Sequence, residues 1–463
     1  MRKIILLIAS VFFFQATLSA QDNVDLKEIF LDAEYYILYQ DYMEALPLYK
    51  KLVTNNHTNA YISYRIGECY LNIAGQKHKS IPYLLEAEKN MSLKIKEGSF
   101  KETFAPLKTL FLLGKAYQIN NELEKAIKIY NKFKESLEVD DIYNIDYVDQ
   151  QIQSCKNAME LMKSPIQYKK TNLGGTINNN FTNIRPVLSS NENIIIYTSK
   201  LKFYDAIFYS KKENNKWSAP INLTPYLETD GYLYSTSLSS DGTMLFLFKD
   251  DQYNGDIYVS NFDGEKWNKA TKLGKNINSK AWETHASISA DKNTLYFTSN
   301  RRGGYGGLDI YKSEYDFAKK EWSEPTNLGA EINTPYNEET PYISNDGKTI
   351  YFSSQGHYTM GGFDIFSANL LENNTWSSPI NIGYPINTTD DDLFFLPIKN
   401  GNFAYISEYS KDGYGQKDIY KLELFSADHP KDIKIEGKIS LQDKNKEFPK
   451  GNFEVNIIDS AKV

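Results

Sequence analysis

The sequence predicts a multidomain chain that is α-helical first and β-stranded after: a helical solenoid, a five-bladed β-propeller and a partial β-sandwich. Two observations predict this order. The spacing of apolar residues changes from about 3.6 to about two near residue 163. One phrase then recurs five times between Tyr168 and Leu422, at intervals of 50 to 55 residues. A recurrence of that length indicates an array of identical supersecondary units.

Residues 1–20 have the pattern of an export signal, with a basic start at residues 2–3, an apolar run over residues 4–14 and a small-residue cleavage site before Gln21. The apolar run is too short to cross a bilayer, and no later stretch reaches spanning length. We therefore expect the mature chain to be soluble outside the cytoplasm. Gln21 stands where a lipoprotein signal carries its lipidated cysteine, so any membrane association is expected to go through a partner.

Residues 24–163 are predicted to form helical repeats that resemble tetratricopeptide repeats. The Leu-Gly-x-x-Tyr pattern of a first helix is found at Ile66 to Tyr70 and at Leu113 to Tyr117. The Ala-x-x-x-aromatic pattern of a second helix is found at Ala45 to Tyr49 and at Ala126 to Tyr130. A plain helical bundle is the alternative. If the repeats are present, this block is a concave docking surface for a peptide or protein.

The glycines of these patterns, Gly67 and Gly114, are expected to let paired helices approach closely. One interval between matching positions is longer than two repeats, and another is longer than one repeat, by the same number of residues. This shared excess predicts one insertion around Lys94 to Lys101. Three helix pairs are expected, with a last helix from Asp146 to Met162 capping the stack. Ser164 and Pro165 then end the helical region.

Residues 168–425 are predicted to form the propeller. The recurring phrase runs Trp-x-x-Pro-x-Asn-Leu-Gly, then Ser-x-Asp-Gly, then a β-rich run, then Asp-Ile-Tyr. Its tryptophans fall at 217, 267, 322 and 376. Apolar runs separated by Asp-Gly and Gly-Gly turns indicate a small antiparallel meander, and four short strands in about 50 residues make one propeller blade.

The first and last units of the array predict a closed ring. The last unit lacks the Asn-Leu-Gly segment, and Lys169 to Gly174 supplies such a segment ahead of the first unit. Pairing this early segment with the last blade would leave no unpaired edge between the first and last blades. Six blades are the alternative, if the region before Ile184 holds a degenerate unit.

Two recurring features could be mistaken for ligand-binding or catalytic motifs. The glycine-rich run Asn300 to Gly307 is followed at once by a strand rather than a helix, so we interpret it as a wide turn and not as a phosphate loop. The aspartate of Asp-Ile-Tyr occurs once per unit, and we interpret it as holding a turn. Its five positions are Asp205, Asp256, Asp309, Asp364 and Asp418.

Acids just before the innermost strands could converge at one channel mouth, as the paired carboxylates of five-bladed glycoside hydrolases do. Glu283 and Glu338 occupy the same repeat position, Asp230 does not, and the first blade has Asn183 there. We therefore attribute the pair to the repeat and predict no catalytic residue. His285 lies near Glu283 in the sequence and is expected to be structural.

Composition and charge argue against several other functions. The chain has 463 residues, a net charge of −7 and no long basic run, which argues against a dedicated nucleic-acid binder. Two cysteines and five histidines offer no metal-ligand spacing, so no metal and no cofactor are predicted. Cys69 and Cys155 fall on predicted helices as small buried residues, with a disulfide between them as the alternative.

The segment Ser344 to Ser354 resembles the WD40-like propeller repeat known as PD40, also found in TolB. The segment Asn300 to Tyr311 resembles the form of that repeat in envelope proteins of the OmpA family. Those proteins join a signal peptide, tetratricopeptide repeats, this propeller, a carboxypeptidase-regulatory-like β-domain and a peptidoglycan-binding OmpA-like domain. The periplasmic component of the type IX secretion and gliding machinery has the same order of parts.

Residues 431–463 are predicted to begin the regulatory-like β-domain, with strands at Ile433 to Ile439 and Phe453 to Ile458. Glu436 to Lys438 resembles the start of that domain. The sequence ends at Val463, too early for a sandwich. Because no OmpA-like domain is present in it, peptidoglycan is expected as a partner only if such a domain exists.

The resemblance implies a non-enzymatic periplasmic scaffold that docks protein partners at the outer membrane. The expected partners are envelope proteins, such as outer-membrane β-barrels or components of the type IX secretion or gliding machinery. Nucleic acid and a direct membrane span are not expected. The alternatives are a secreted glycan-active propeller enzyme and a carbohydrate-binding protein that uses exposed aromatics such as Trp282, which lies outside the repeat phase.

Overall fold

The computed structural model of the chain describes residues 25–138, 140–250 and 254–431. The predicted signal peptide, and the predicted β-domain after Lys431, lie outside these residues. Within the described ranges, seven α-helices are followed by five antiparallel blade sheets. The predicted order of a helical region and a five-bladed propeller is confirmed, and the alternative of six blades is wrong.

The helical block is a succession of helices in which each contacts the next. Asp25 caps the first helix by accepting hydrogen bonds from the backbone N–H groups of its first turn, and Asn59 caps the third in the same way. The helices are α1 (Leu26–Leu38), α2 (Tyr42–Thr54), α3 (Ala60–Asn72), α4 (Ser80–Glu88), α5 (Lys108–Ile119), α6 (Leu123–Glu135) and α7 (Ile142–Leu161).

The close approach expected at the two helical glycines is present. A Cβ atom on Gly67 would lie 2.6 Å from Leu84 Cγ, and one on Gly114 would lie 2.6 Å from Tyr130 Cδ1. A long connection joins α4 to α5 at the place where the insertion is predicted, and in it Met91–Ser92 pairs in parallel with Ala105–Pro106.

The last helix begins at Ile142, earlier than the predicted start at Asp146, because the Asp141 carbonyl already accepts a helical hydrogen bond from Ile145 N. Cys69 and Cys155 are both buried and free, and they lie in two different apolar clusters. Among the described residues, no helix is long and apolar enough to cross a membrane.

Each blade is an antiparallel sheet, and the first strands of blades 1 to 4 contact one another in succession around a central channel. The strands of blade 1 are Thr182–Leu188, Ile194–Lys200, Asp205–Glu213, Lys216–Trp217 and Ile221–Asn222. Those of blade 2 are Leu233–Leu238, Met244–Asp250, Gly255–Asn261 and Thr271–Lys272. Those of blade 3 are Glu283–Ile288, Thr294–Ser299, Asp309–Asp316, Glu321–Trp322 and Thr326–Asn327. Those of blade 4 are Glu338–Ile343, Thr349–Ser354, Asp364–Asn369 and Ile380–Asn381.

Blade 5 is completed by the strand that precedes blade 1, as the sequence predicts. Its strands are Leu396–Ile398, Phe403–Glu408, Asp418–Leu424 and Tyr168–Asn172. The last two are antiparallel, with Asn172 opposite Tyr420 and Tyr168 opposite Leu424. The ring is therefore closed by backbone hydrogen bonds between the start and the end of the propeller, and neither end blade keeps an open edge there.

The recurring aspartate holds a turn and an asparagine in three blades. Asp309 accepts hydrogen bonds from two backbone N–H groups of its turn, at 2.6 and 3.1 Å, and from Asn327 Nδ2 at 2.7 Å. Asn327 Oδ1 in turn accepts from Gly329 N and from Asn333 Nδ2. The same bonds recur at Asp364 and Asp418. The predicted turn-holding role is confirmed in these blades. We call this arrangement the asparagine clamp.

The helical block is docked on the propeller face that carries the loops leading into the innermost strands. Ser154 Oγ on α7 lies 2.6 Å from Thr359 Oγ1, and Asn157 Nδ2 donates to the Thr359 carbonyl at 2.9 Å. These three side chains are buried. Met360 belongs to the same apolar cluster as the later helices. The two modules therefore share one packed interface.

Candidate binding site at the channel mouth

The innermost strands share an irregularity that turns side chains into the channel. In blades 1 to 4 the pairing of the innermost strand with its neighbour skips one or two residues, as at a β-bulge. The backbone φ angle is positive at Arg185, Thr340 and Phe394, at 54°, 49° and 63°. Bulges re-aim side chains, and here they supply the lining of the channel.

One residue from each blade meets in the centre of the channel. A cavity of about 30 Å³ there is lined by side chains from all five blades. We call five of the residues that line it, one from each blade, the channel ring: Arg185, Thr236, His285 and Thr340 at the bulges of blades 1 to 4, and Phe394 just before the first strand of blade 5. A space of this size holds about one water molecule.

Above the channel ring, the helical block and the propeller enclose a much larger space, which we call the mouth cavity. Its volume is about 960 Å³. Lys77 and Asn121 contribute from the helical block, and Arg185, Phe394 and Lys417 from the propeller. Because Arg185 and Phe394 line both spaces, the channel ring is the floor of the mouth cavity. Pockets of 300 to 1,000 Å³ are typical of ligand sites.

Arg185 is the most unusual side chain of this floor. Its guanidinium carbon lies 4.4 Å from the centre of the Tyr234 ring and 4.6 Å from that of Phe394. Its Nε and Nη1 atoms are buried without a hydrogen-bond partner among the described residues. Burial lowers the pKa of Arg185 to about 10, so the group stays charged at neutral pH.

The acid beside the channel ring does not neutralise this charge. Glu339 Oε2 lies 3.5 Å from His285 Nδ1. Burial raises the pKa of Glu339 to about 7, although Arg185 acts in the opposite direction. Burial and the charge of Arg185 lower the pKa of His285 well below its usual value, so the imidazole is neutral. Of the two basic side chains of the channel ring, Arg185 is therefore firmly charged and His285 is neutral.

The two repeat-position acids are structural in their contacts. Glu283 is fully buried and accepts hydrogen bonds from Ser279 Oγ at 2.7 Å and Ser299 Oγ at 2.8 Å. Glu338 is equally buried and accepts from Thr334 Oγ1 at 2.7 Å. Burial raises the pKa of Glu338 to about 7. Both acids hold the loop that leads into their own strand, and neither lines the mouth cavity.

The other residues singled out from the sequence are dispersed. Asp230 pairs with Lys249 at 2.9 Å, and Asn183 is fully buried and donates to loop carbonyls. His285 lies in the channel ring and contacts Glu339 rather than Glu283. Trp282, which was expected to be exposed, is half-buried with its ring 6.1 Å from that of Phe248. No two of these side chains are carboxylates that face one cavity.

The glycine-rich run Asn300 to Gly307 is a turn between the second and third strands of blade 3, as predicted. Arg301 Nη2 donates to the Ile277 carbonyl at 2.7 Å and lies 3.2 Å from Glu283 Oε1. A Cβ atom on Gly306 would lie 2.2 Å from the Tyr336 carbonyl oxygen, so the loop packs directly against the next blade. The arginine and the glycine both serve blade packing.

Three consecutive acids, which sequence reasoning missed, do line the mouth cavity. Asp390 pairs with Lys77, and Asp391 pairs with Lys115 at 3.1 Å, so both bind the helical block to the propeller. Asp392 accepts from Thr388 N at 2.6 Å and from its hydroxyl at 3.0 Å. Burial, followed by the neighbouring Asp364, raises the pKa of Asp392 well above its usual value. Each of these acids already has a structural contact.

The fold and the cavity define a class of protein: a helical block fixed to a closed five-bladed propeller, with a cavity between them that has an arginine on its floor. No group of histidine, cysteine, aspartate or glutamate side chains within the described ranges could hold a metal ion. No family model matches the chain, and no curated protein matches it.

Solved structures resemble part of the chain. A putative TolB from Agrobacterium tumefaciens has 17% sequence identity and a TM-score of 0.34, over 54% of this chain and 78% of that one. The α-L-arabinofuranosidase PaAbf62A from Podospora anserina has 10% identity and a TM-score of 0.37, over 57% of this chain and 98% of that one. A thermostable family-43 glycoside hydrolase has 13% identity and a TM-score of 0.37, over 54% and 91%. Likenesses this remote carry no argument about function.

Proposed function

We propose that this chain is a non-enzymatic scaffold that works outside the cytoplasm and docks a protein partner in the mouth cavity. The observation that carries this proposal is the construction of the cavity, which is built jointly by the helical block and the propeller and is floored by the channel ring. A cavity formed by two modules can recognise a partner that touches both. The proposed location follows from the export pattern of residues 1–20.

The resemblance of the repeats supports an envelope role. We infer that the partners are envelope proteins, among them outer-membrane β-barrels or components of the type IX secretion or gliding machinery. The helical block, if it is a tetratricopeptide stack, would add a second docking surface.

A glycan-active enzyme is the second candidate, and the three acids Asp390 to Asp392 favour it by their position at the mouth cavity. Catalysis by paired carboxylates needs two acids free to meet the substrate. Here Asp390 and Asp391 are bound to lysines of the helical block, and Asp392 to Thr388. Using them would require the interface to open, so scaffold function is the better-supported choice.

Photo-crosslinking in intact cells tests the proposal. A photoreactive amino acid is placed at Asn121, at the rim of the mouth cavity, and as a matched control at Lys216, which is exposed on the outer strand of blade 1. Crosslinks from Asn121 to an envelope protein, and not from Lys216, are expected. Capture of glycan alone, or release of reducing sugars from polysaccharide by the purified chain, would overturn the proposal.

A further inference from the structure

The unsatisfied guanidinium of Arg185 marks the floor of the mouth cavity as incomplete. Within the described ranges, its side chain makes no hydrogen bond and no ion pair, and the rings of Tyr234 and Phe394 lie against the guanidinium. A charged group removed from water is normally compensated by a partner. The two rings fix the position of the guanidinium but do not satisfy its N–H donors. A hydrogen-bond acceptor that carries negative charge would complement it.

We propose that Arg185 anchors a binding site for an acidic peptide segment of a partner protein, and that its guanidinium binds one carboxylate of that segment at the floor of the mouth cavity. This inference rests on the proposed function, because it specifies the chemistry of the partner at the same cavity. The guanidinium donors lie in one plane and match the two oxygens of a carboxylate.

A carboxylate suits this floor better than a phosphate. Glu339, Asp205 and Asp250 are near enough to act on the charge of Arg185, yet none lies within ion-pair distance of it. They already place negative charge around the guanidinium. A doubly charged group would meet more repulsion from them than a singly charged one, and no cation is among the groups named as acting on Arg185 within the described part of the chain.

The walls favour a peptide over a glycan. Apolar side chains line much of the mouth cavity, namely Phe248, Ile365, Ile386, Leu393, Phe394 and Phe395. They can pack against the apolar side chains that flank an acid in a peptide, whereas the hydroxyl groups of a sugar would lose hydration against these apolar side chains.

Two further cations lie at the rim of the mouth cavity. Lys200 is opposite Thr182 in the strand pairing, and Lys417 forms a β-bridge with the same threonine. Both lysines are exposed and line the mouth cavity. Neither forms an ion pair with any residue that the structure describes. A segment with more than one acid could therefore place a second carboxylate at the rim while the first is bound to Arg185.

The test uses the purified chain and two synthetic nonapeptide libraries that differ only in the fixed central residue, glutamate in one and glutamine in the other. We expect the glutamate library to bind at least tenfold more tightly, because a charge-assisted hydrogen-bonded pair is worth no less than the roughly 1.4 kcal/mol of a tenfold change. In Arg185→Gln this preference should disappear, and in the matched control Arg302→Gln, at an exposed arginine outside the cavity, it should remain.

A second measurement uses the unaltered chain, so its result does not depend on whether a variant folds. Phenylglyoxal modifies guanidinium groups, and mass spectrometry reports modification at each arginine. The glutamate library should protect Arg185 and leave Arg302 reactive. Equal protection by the glutamine library, by inorganic phosphate or by oligogalacturonate would overturn the inference, as would no protection by any of them. If crosslinking from Asn121 still captures the envelope protein in Arg185→Gln cells, this inference fails while the proposed function stands.

Discussion

Single residues decide the packing of this chain at buried positions where neighbouring side chains cannot move. Gly114 faces a tyrosine ring that is fully buried between α5 and α6. Glu192, in the first hairpin of blade 1, reaches across to blade 5 and accepts a hydrogen bond from Tyr405 Oη at 2.8 Å and ion pairs from Lys421 and Lys399. In both cases a local change acts on two elements at once.

Gly114→Ala is expected to destabilise the chain by about 1–3 kcal/mol, because its Cβ atom would overlap the Tyr130 ring and a buried ring has nowhere to move. This is the net loss, after the gain of about 1 kcal/mol that alanine gives over glycine in a helix. Denaturant unfolding monitored by circular dichroism measures it. The control Gly274→Ala has open space around its Cβ position and should change stability by less than about 0.5 kcal/mol. Equal effects at both sites would contradict the close packing.

Glu192→Gln is expected to cost about 2–3 kcal/mol at pH 7. Burial raises the pKa of Glu192, but hydrogen bonds from Lys421 and Tyr405 outweigh it and hold the value at about 2, below the ordinary 4.5. A lowered carboxyl pKa stabilises the fold above the unfolded value, and this contribution is lost as the pH falls from about 4.5 towards about 2.

The stability difference between the unaltered chain and Glu192→Gln should therefore shrink to about half at pH 3. Denaturant unfolding at pH 7 and pH 3 checks this. Glu213→Gln, at an exposed site in the same blade, serves as the control and should show no such change. A difference that stays constant with pH would contradict the ionised pairing of Glu192.

At the scale of the element, the blade is held together by its asparagine clamp as well as by strand pairing. In blade 4, Asn381 donates to Asp364 at 2.8 Å and accepts from Gly383 N at 2.8 Å and Asn387 Nδ2 at 2.7 Å. Asp364 is fully buried. In blade 1 the equivalent Asn222 donates to Tyr204 Oη instead. The blades thus share one strand order. They differ in the side-chain hydrogen bonds that join the outer strand to the third strand of the blade.

Asn381→Ala is expected to destabilise the chain by about 2–3 kcal/mol, because it removes one partner of the buried Asp364 and leaves Asn387 short of an acceptor. Asn222→Ala is the matched change in a blade without the clamp and should cost less than about 1 kcal/mol. Thermal unfolding of both variants measures the difference. Similar losses in the two blades would show that the clamp adds nothing to strand pairing.

Much of this element-level order could be predicted from the sequence. The recurrence of one phrase predicted the blades, and the misplaced Asn-Leu-Gly segment predicted that Lys169 to Gly174 would close the ring. The second asparagine of the clamp, at Asn178, Asn333 and Asn387, recurs in the sequence as well, and Asn278 has the same place in blade 2, which lacks the clamp. Its hydrogen bonds could not be predicted from the sequence, because its partner is the backbone of a distant strand. That strand lies about half a blade earlier in the sequence or, for Asn178, in the last blade of the ring.

The candidate site could not be predicted in the same way. Arg185 has no motif around it, and its isolation depends on Tyr234 and Phe394, which come from blades 2 and 5. The acids that sequence reasoning considered, Glu283 and Glu338, are at the correct repeat position but point into their own loops. A periodic pattern identifies what every blade shares, whereas a binding site depends on what one blade has alone.

At the scale of the whole molecule, the mouth cavity exists only while the helical block is docked on the propeller. The docking combines the buried contacts of Thr359 with the ion pairs of Asp390 and Asp391. Buried polar contacts with fixed partners restrict sliding between surfaces, and the ion pairs at the rim oppose opening. The central claim is therefore that the two modules form one rigid unit whose shared cavity recognises the partner.

The most direct test is the distance distribution between two spin labels, one at Lys51 on α2 and one at Lys266 in blade 2, measured by pulsed electron paramagnetic resonance. Both positions are exposed, and the native cysteines Cys69 and Cys155 are fully buried, so labelling of the unaltered chain serves as the control. The account predicts a single narrow distribution, which broadens when Thr359→Val weakens the interface. A broad or multiple distribution in the doubly labelled chain without Thr359→Val would contradict it, because the mouth cavity would then have no fixed shape.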